Sequence, residues 1–92
     1  MPLQVKRIAE AGSLESGDLL VVVAPSEGVS IEVTSSVERQ FGDRIRQIVS
    51  EVIQSMSVSG VSVKIQDRGA LDYVIMARLI TALRRSFEDE AA

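Results

Sequence analysis

The sequence contains no cysteine, no histidine and no tryptophan. Disulfides, thiol nucleophiles, zinc sites of the usual kind and every Ser–His or Cys–His catalytic arrangement are thereby excluded. Aromatic residues are nearly absent, with Phe41, Tyr73 and Phe87 as the whole supply, so a core must be built from Val, Ile, Leu and Ala. Single-stranded nucleic acids are bound on aromatic platforms lining a basic groove. The shortage of aromatics and a formal net charge of −3 point away from a nucleic-acid partner. No apolar run reaches membrane-spanning length, and Met1 to Glu10 lacks the apolar stretch of a signal peptide. The expectation is a cytoplasmic protein without a membrane partner.

What is present is enough to fold. The chain has 92 residues, of which 46% are hydrophobic, well outside the composition of disordered chains. The length suits one domain over residues 1–92, with 1–4 and 88–92 read as tails, and leaves no room for a second core.

Hydrophobic periodicity organises that domain. Val5 to Ala11 reads as a weak edge strand. Leu19 to Ala24 is a short apolar run closed by Pro25 and suits an interior strand with both faces covered. Beyond the turn at Pro25 to Gly28, Val29, Ile31 and Val33 alternate with Ser30, Glu32 and Thr34, giving a half-buried strand expected to pair with the previous one as a hairpin. Ser35 and Glu38 have capping-box spacing. From there Val37, Phe41, Ile45, Ile48, Val49, Val52, Ile53 and Met56 line one side of a helix. Val61, Val63 and Ile65 form another half-buried strand. After Asp67-Arg68-Gly69 a second helix, Ala70 to Phe87, carries Leu71, Val74, Ile75, Leu79, Ala82 and Leu83 as a stripe widened by Tyr73, Met76 and Ile80. The order is β-β-β-α-β-α. Two striped helices and a one-faced sheet satisfy each other by packing together, so the fold class is α+β, a two-layer sandwich with a four-stranded sheet and two helices on one face. Periodicity leaves the strand order open, and admits both a crossover from Val33 through the first helix to Val61 and an antiparallel arrangement of the same elements.

With histidine and cysteine missing, chemistry falls to serines, carboxylates and basic side chains. Glu15 and Asp18 flank Ser16; acids in a turn are ordinarily solvated, and Asp18 also favours the turn itself. A serine hydroxyl displayed on a tight turn is open to a phosphoryl donor, and Gly17 lacks a side chain that would obstruct a bulky nucleotide. No catalytic residue and no metal ligand set is assigned.

Taken in order, Gly12-Ser13-Leu14-Glu15-Ser16-Gly17-Asp18, Leu20 to Pro25, Ser35 to Asp43, Gly60-Val61 and Gly69-Ala70-Leu71-Asp72 resemble the citrate lyase acyl carrier family, over about Ala11 to Leu83. The resemblance implies a non-catalytic carrier subunit. It implies covalent attachment of phosphoribosyl-dephospho-coenzyme A to Ser16 through a phosphodiester, with Gly17 and Asp18 completing the attachment motif. A prosthetic-group transferase would load the arm, and the transferase (alpha) and lyase (beta) subunits of the complex would act on its thioester. The carrier subunit of malonate decarboxylase, with the same arm and a serine followed by Gly-Asp-Leu, is the nearest alternative. A small α+β interaction module without a cofactor is the reading from composition alone.

Overall fold

In a computed structural model of the chain, residues 3–35 and 39–88 are described. They form β1 (Leu3–Gln4), β2 (Ala9–Gly12), β3 (Leu19–Pro25), β4 (Val29–Ser35), α1 (Arg39–Ser55), β5 (Val58–Ser59), β6 (Val61–Asp67) and α2 (Asp72–Phe87). Four strands make the main sheet in the order β2-β3-β6-β4. The architecture is α+β, as the periodicity predicts. Val37 and Glu38, assigned from the sequence to the first stripe and to the capping box, lie outside the described residues.

The face of each strand follows from its alternation. Leu19, Val21 and Val23 of β3 stand opposite Asp67, Ile65 and Val63 of β6, and all six are buried. Directly paired residues share a face, so these six form the floor of the core. α2 lies over β2 and β3 while α1 lies over β4 and against α2. Ile75, Leu79 and Leu83 of α2 and Ile45, Val49, Val52 and Ile53 of α1 close the layer from above. Each such side chain, fully buried, stabilises the fold by about 1.5–3 kcal/mol before chain entropy is counted.

The sheet corrects the sequence reading in two places. First, β3 and β4 are not a hairpin: β6 inserts between them, antiparallel to β3 and parallel to β4. The connection Ser26 to Gly28 crosses over the end of β6, where the Ser26 amide donates to the Gly60 carbonyl at 2.9 Å. Three residues suffice, because two strand spacings are about 9.6 Å. β6 takes the central place because Val61, Val63 and Ile65 are almost wholly buried, whereas Val29 remains 53% exposed on the edge strand. Second, β3 is covered on one face only; Leu20, Val22 and Ala24 on the other face are half-buried.

The first described segment is tied to β5 and to the end of α2. Leu3 and Gln4, read from the sequence as part of a tail, pair in parallel with Val58 and Ser59. The amides of Lys6 and Arg7 donate to the Ser86 carbonyl at 2.8 and 3.3 Å, and Arg7 Nε donates to the Arg85 carbonyl at 3.0 Å. Carbonyls at the end of α2 that lack partners within the helix are satisfied this way.

A third difference concerns the helices. Phe41, Leu71, Tyr73 and Met76 have the spacing of core residues yet are 50, 61, 70 and 43% exposed. The core is closed by the residues behind them; Phe41, Leu71 and Met76 are left over where α1 and α2 meet, and Tyr73 faces solvent.

Candidate functional site

The six residues joining β2 to β3 run from Ser13 to Asp18, and a dense hydrogen-bond network fixes their shape. The Asp18 amide donates to the Glu15 carbonyl at 3.0 Å, closing a four-residue turn with Ser16 and Gly17 at its centre. Gly17 has φ +85°, the conformation required at the third residue of a type II turn and one that a side chain disfavours. A Cβ placed on Gly17 would meet nothing within 4 Å, so the requirement for glycine is conformational and the space beside Ser16 is open.

Asp18 holds this loop from within. Its Oδ1 accepts from the Leu19 amide and its Oδ2 from the Ser13 hydroxyl, both at 2.8 Å. The Ser13 oxygen in turn accepts from the Glu15 amide at 3.2 Å. From α2, Arg78 donates Nε to Oδ1 and a terminal nitrogen to Oδ2, each at 3.0 Å. This two-pronged geometry is the strongest form of an arginine–carboxylate contact. The Arg78 hydrogen bonds are the chief reason that the Asp18 carboxyl is lowered to about 2, with the Leu19 amide and the Ser13 hydroxyl adding to them against the cost of burial. The loop is also tied to the β6–α2 connection: Gly17 donates its amide to the Arg68 carbonyl at 2.7 Å, and Arg68 donates its amide to the Asp18 carbonyl at 2.9 Å.

Ser16 stands apart from this network. It is exposed, and its hydroxyl has no hydrogen-bond partner among the described residues. Glu15 is exposed as well. Of the three motif residues singled out from the sequence, Ser16 thus faces solvent, Gly17 supplies the turn conformation and Asp18 anchors the loop to the body.

The structure adds Arg78 and Arg68 to the site, which lie outside the motif stretches, and gives a role to Ser13, which stands within the stretch Gly12 to Asp18 without one. Arg78 carried a legible signal. It lies three residues after Ile75, four after Val74 and four before Ala82, a charged side chain set within the apolar spacing of α2, as expected of a residue reaching from the packed face to its rim.

Beside the loop lies a cleft of about 470 Å³, walled by Phe41 and Ile45 of α1, Gly69 to Leu71 of the connection, and Ile75 of α2. Asp67 closes its floor. It is 2% exposed, accepting from the Ser35 hydroxyl and from the Ala70 amide, both at 3.0 Å. At the mouth, Arg44 donates to Asp72 at 2.7 Å.

Residues 6–86 match the family of acyl carrier proteins described as malonate decarboxylase delta subunit (MdcD). Among individual proteins, the chain is 47% identical over 85 residues to a citrate lyase acyl carrier protein of Halothermothrix orenii, covering 91% of this chain and 90% of that one. It is 44% identical over 90 residues to the citrate lyase acyl carrier protein of Streptococcus mutans, covering 96% and 88%. The chain belongs to the citrate lyase acyl carrier protein family. Its role is that of an acyl carrier, and catalysis is not a property of such a carrier. Among solved structures it is similar to a chain in a crystal structure of a Pseudomonas malonate decarboxylase hetero-tetramer in complex with malonate. That likeness has a TM-score of 0.78 at 25% identity, covering 92% of this chain and 91% of the other. The family match over residues 6–86 takes in both helices, the four-stranded sheet and the loop that bears Ser16. No helix among the described residues is long and apolar enough to cross a membrane.

Proposed function

We propose that this protein is the acyl carrier subunit of a cytoplasmic citrate lyase and that Ser16 Oγ is the attachment point of phosphoribosyl-dephospho-coenzyme A. The supporting observation is the contrast within one loop: Ser13 and Asp18 are engaged in hydrogen bonds, while the Ser16 hydroxyl between them is exposed and has no partner among the described residues. The surroundings fit a phosphodiester with a bulky nucleotide, since the direction a Cβ of Gly17 would occupy is empty. When attached, the group supplies a terminal thiol that holds acetyl or citryl as a thioester during cleavage of citrate to acetate and oxaloacetate.

The chain's own contribution is mechanical. A serine on a loop clamped by Arg78 gives the tether a fixed root, and a flexible arm on a fixed root makes its encounters with successive active sites intramolecular, at an effective concentration approaching the millimolar range. The partners of this reading are the transferase (alpha) and lyase (beta) subunits and the prosthetic-group transferase that loads Ser16. Gly17 and Asp18 belong to the attachment site through the turn they impose. Glu15, exposed beside the hydroxyl, is available for recognition by the loading enzyme.

Intact-mass measurement after co-expression with the prosthetic-group transferase tests the attachment. A single adduct with the mass of the arm is expected on the wild type and none on Ser16→Ala. An adduct retained by Ser16→Ala, or no adduct on either protein, refutes it.

A second reading, the carrier of malonate decarboxylase, has support in the matched family description and in the Pseudomonas structure. The identities of 47% and 44% to citrate lyase carriers against 25% to that chain favour the first. Reconstituting the loaded protein with each set of catalytic subunits and supplying citrate or malonate decides between them.

A further inference from the structure

The cleft beside the loop joins exposed apolar residues of α1 and of the α2 entry to the edge of the core. Phe41 and Leu71 are half or more exposed on its walls, while Ile45 and Ile75 are buried at its base. An uncovered apolar hollow of about 470 Å³ is on the scale of a small-molecule site, for which roughly 300–1,000 Å³ is typical.

Its position relative to Ser16 is fixed by backbone contacts. Gly17 is bonded to the carbonyl of Arg68, and the cleft wall begins at Gly69, the next residue along the chain. The loop that bears Ser16 is therefore tied through Arg68 to the segment that lines the cleft, and the arm would have to span only that connection. The hollow has apolar walls, with the Asp67 carboxylate on its floor engaged by the Ser35 hydroxyl and the Ala70 amide and an ion pair, Arg44–Asp72, at its rim, which suits a ligand with an apolar tip and amide groups behind it.

We infer that this cleft is the resting site of the sulfur end of the arm, so that the acyl thioester folds back against Phe41, Leu71 and Ile75 between visits to the catalytic subunits. The inference rests on the reading that Ser16 carries the arm. It assigns the carrier a second task, shielding the thioester from water and stray nucleophiles while it waits.

The test compares bare protein with protein loaded and acetylated in vitro, the load being verified by intact mass. Backbone amide resonances of Ile45, Leu71 and Ile75 are expected to shift on loading, while those of Val22 and Lys64 on the open sheet face stay in place. In the deacetylated form, the arm thiol is titrated with a thiol reagent in wild type, Phe41→Ser and Leu71→Ser. An arm docked for about nine-tenths of the time reacts about tenfold more slowly than a free one, so the variants should react faster by up to about that factor. Leu71 is the N-cap residue of α2 and has no side-chain capping bond. Serine is a favoured residue there, so this variant should fold even if Phe41→Ser does not.

An adduct with unshifted cleft amides, or with equal thiol rates in wild type and Leu71→Ser, overturns the resting site and leaves the attachment standing. Absence of any adduct sinks both. Cleft shifts that grow with the concentration of the bare protein would assign the hollow to a second copy, and shifts that appear only on adding the catalytic subunits would assign it to them. Either result overturns the inference.

Discussion

Arg78 grips both carboxylate oxygens of Asp18 at 3.0 Å across sixty residues of sequence, and this pair joins the serine loop to the second helix. The stem of Arg78 also lies against the hairpin base, its Cδ 3.5 Å from where a Cβ of Gly12 would sit. One side chain therefore supports the loop at two points.

Arg78→Ala should lower stability by about 1 kcal/mol, because the pair is well aligned but half open to solvent on the arginine side. Loading of Ser16 should slow as the loop loosens, while the far end of the sheet is unchanged. Arg78→Lys should restore only part of the effect, since an ammonium cannot make the parallel pair of bonds. Urea titration and the initial rate of adduct formation measure the two consequences.

Acid should weaken the same clamp within a defined window. The folded-state pKa of Asp18 is lowered to about 2 from 3.8. The stability it contributes is thus complete above the unfolded value and is lost as pH falls from about 4 toward 2. Asp18→Asn removes this dependence. Its deficit relative to wild type, measured by denaturant midpoint, should be largest near neutral pH and shrink toward pH 2.

Gly12 at the end of β2 and Gly17 in the loop should respond differently to alanine. At Gly12, with φ +95°, a Cβ collides with the Leu19 carbonyl, and the strained backbone adds to the clash, so Gly12→Ala should cost at least about 2 kcal/mol. Gly17 has positive φ but open surroundings; Gly17→Ala should cost about 1 kcal/mol. Thermal melts of the two variants separate the cases.

Leu79 is fully buried where α2 meets the sheet. Leu79→Ala should destabilise by about 2–5 kcal/mol, whereas the exposed Met76→Ala, three residues earlier on the same helix, should stay within about 0.5 kcal/mol. A reversed ranking in denaturant melts would contradict the assignment of the core.

Much of this was legible in the sequence because burial and alternation leave a periodic trace. The strands at Leu19, Val29 and Val61 and the helices follow their hydrophobic patterns, and the serine turn follows its Gly and Asp. The placement of β6 between β3 and β4 was not legible. A short turn after Pro25 is equally compatible with pairing to the next strand and with stepping over a gap, and only the competition of all strands for the central position decides. The pairing of Asp18 was not legible for the same reason: the spacing of α2 sets Arg78 at the rim of the packed face, but its contact with Asp18 depends on where two distant elements meet. Phe41 and Leu71 mislead in the opposite sense, having core spacing while lining a surface hollow.

The central strand of the sheet arrives late in synthesis. A nascent chain that has emerged only as far as Ser59 holds β3 and β4 with no neighbour between them, while the β2–β3 hairpin is local and can form early. Closure of the sheet waits for residues 61–67, and α2 follows directly to cover β2 and β3. Arg78 is drawn onto Asp18 in this last stage. The loop bearing Ser16 should therefore be presented correctly only once nearly the whole chain has left the ribosome, so that a loading enzyme requiring the clamped turn would ignore unfinished copies.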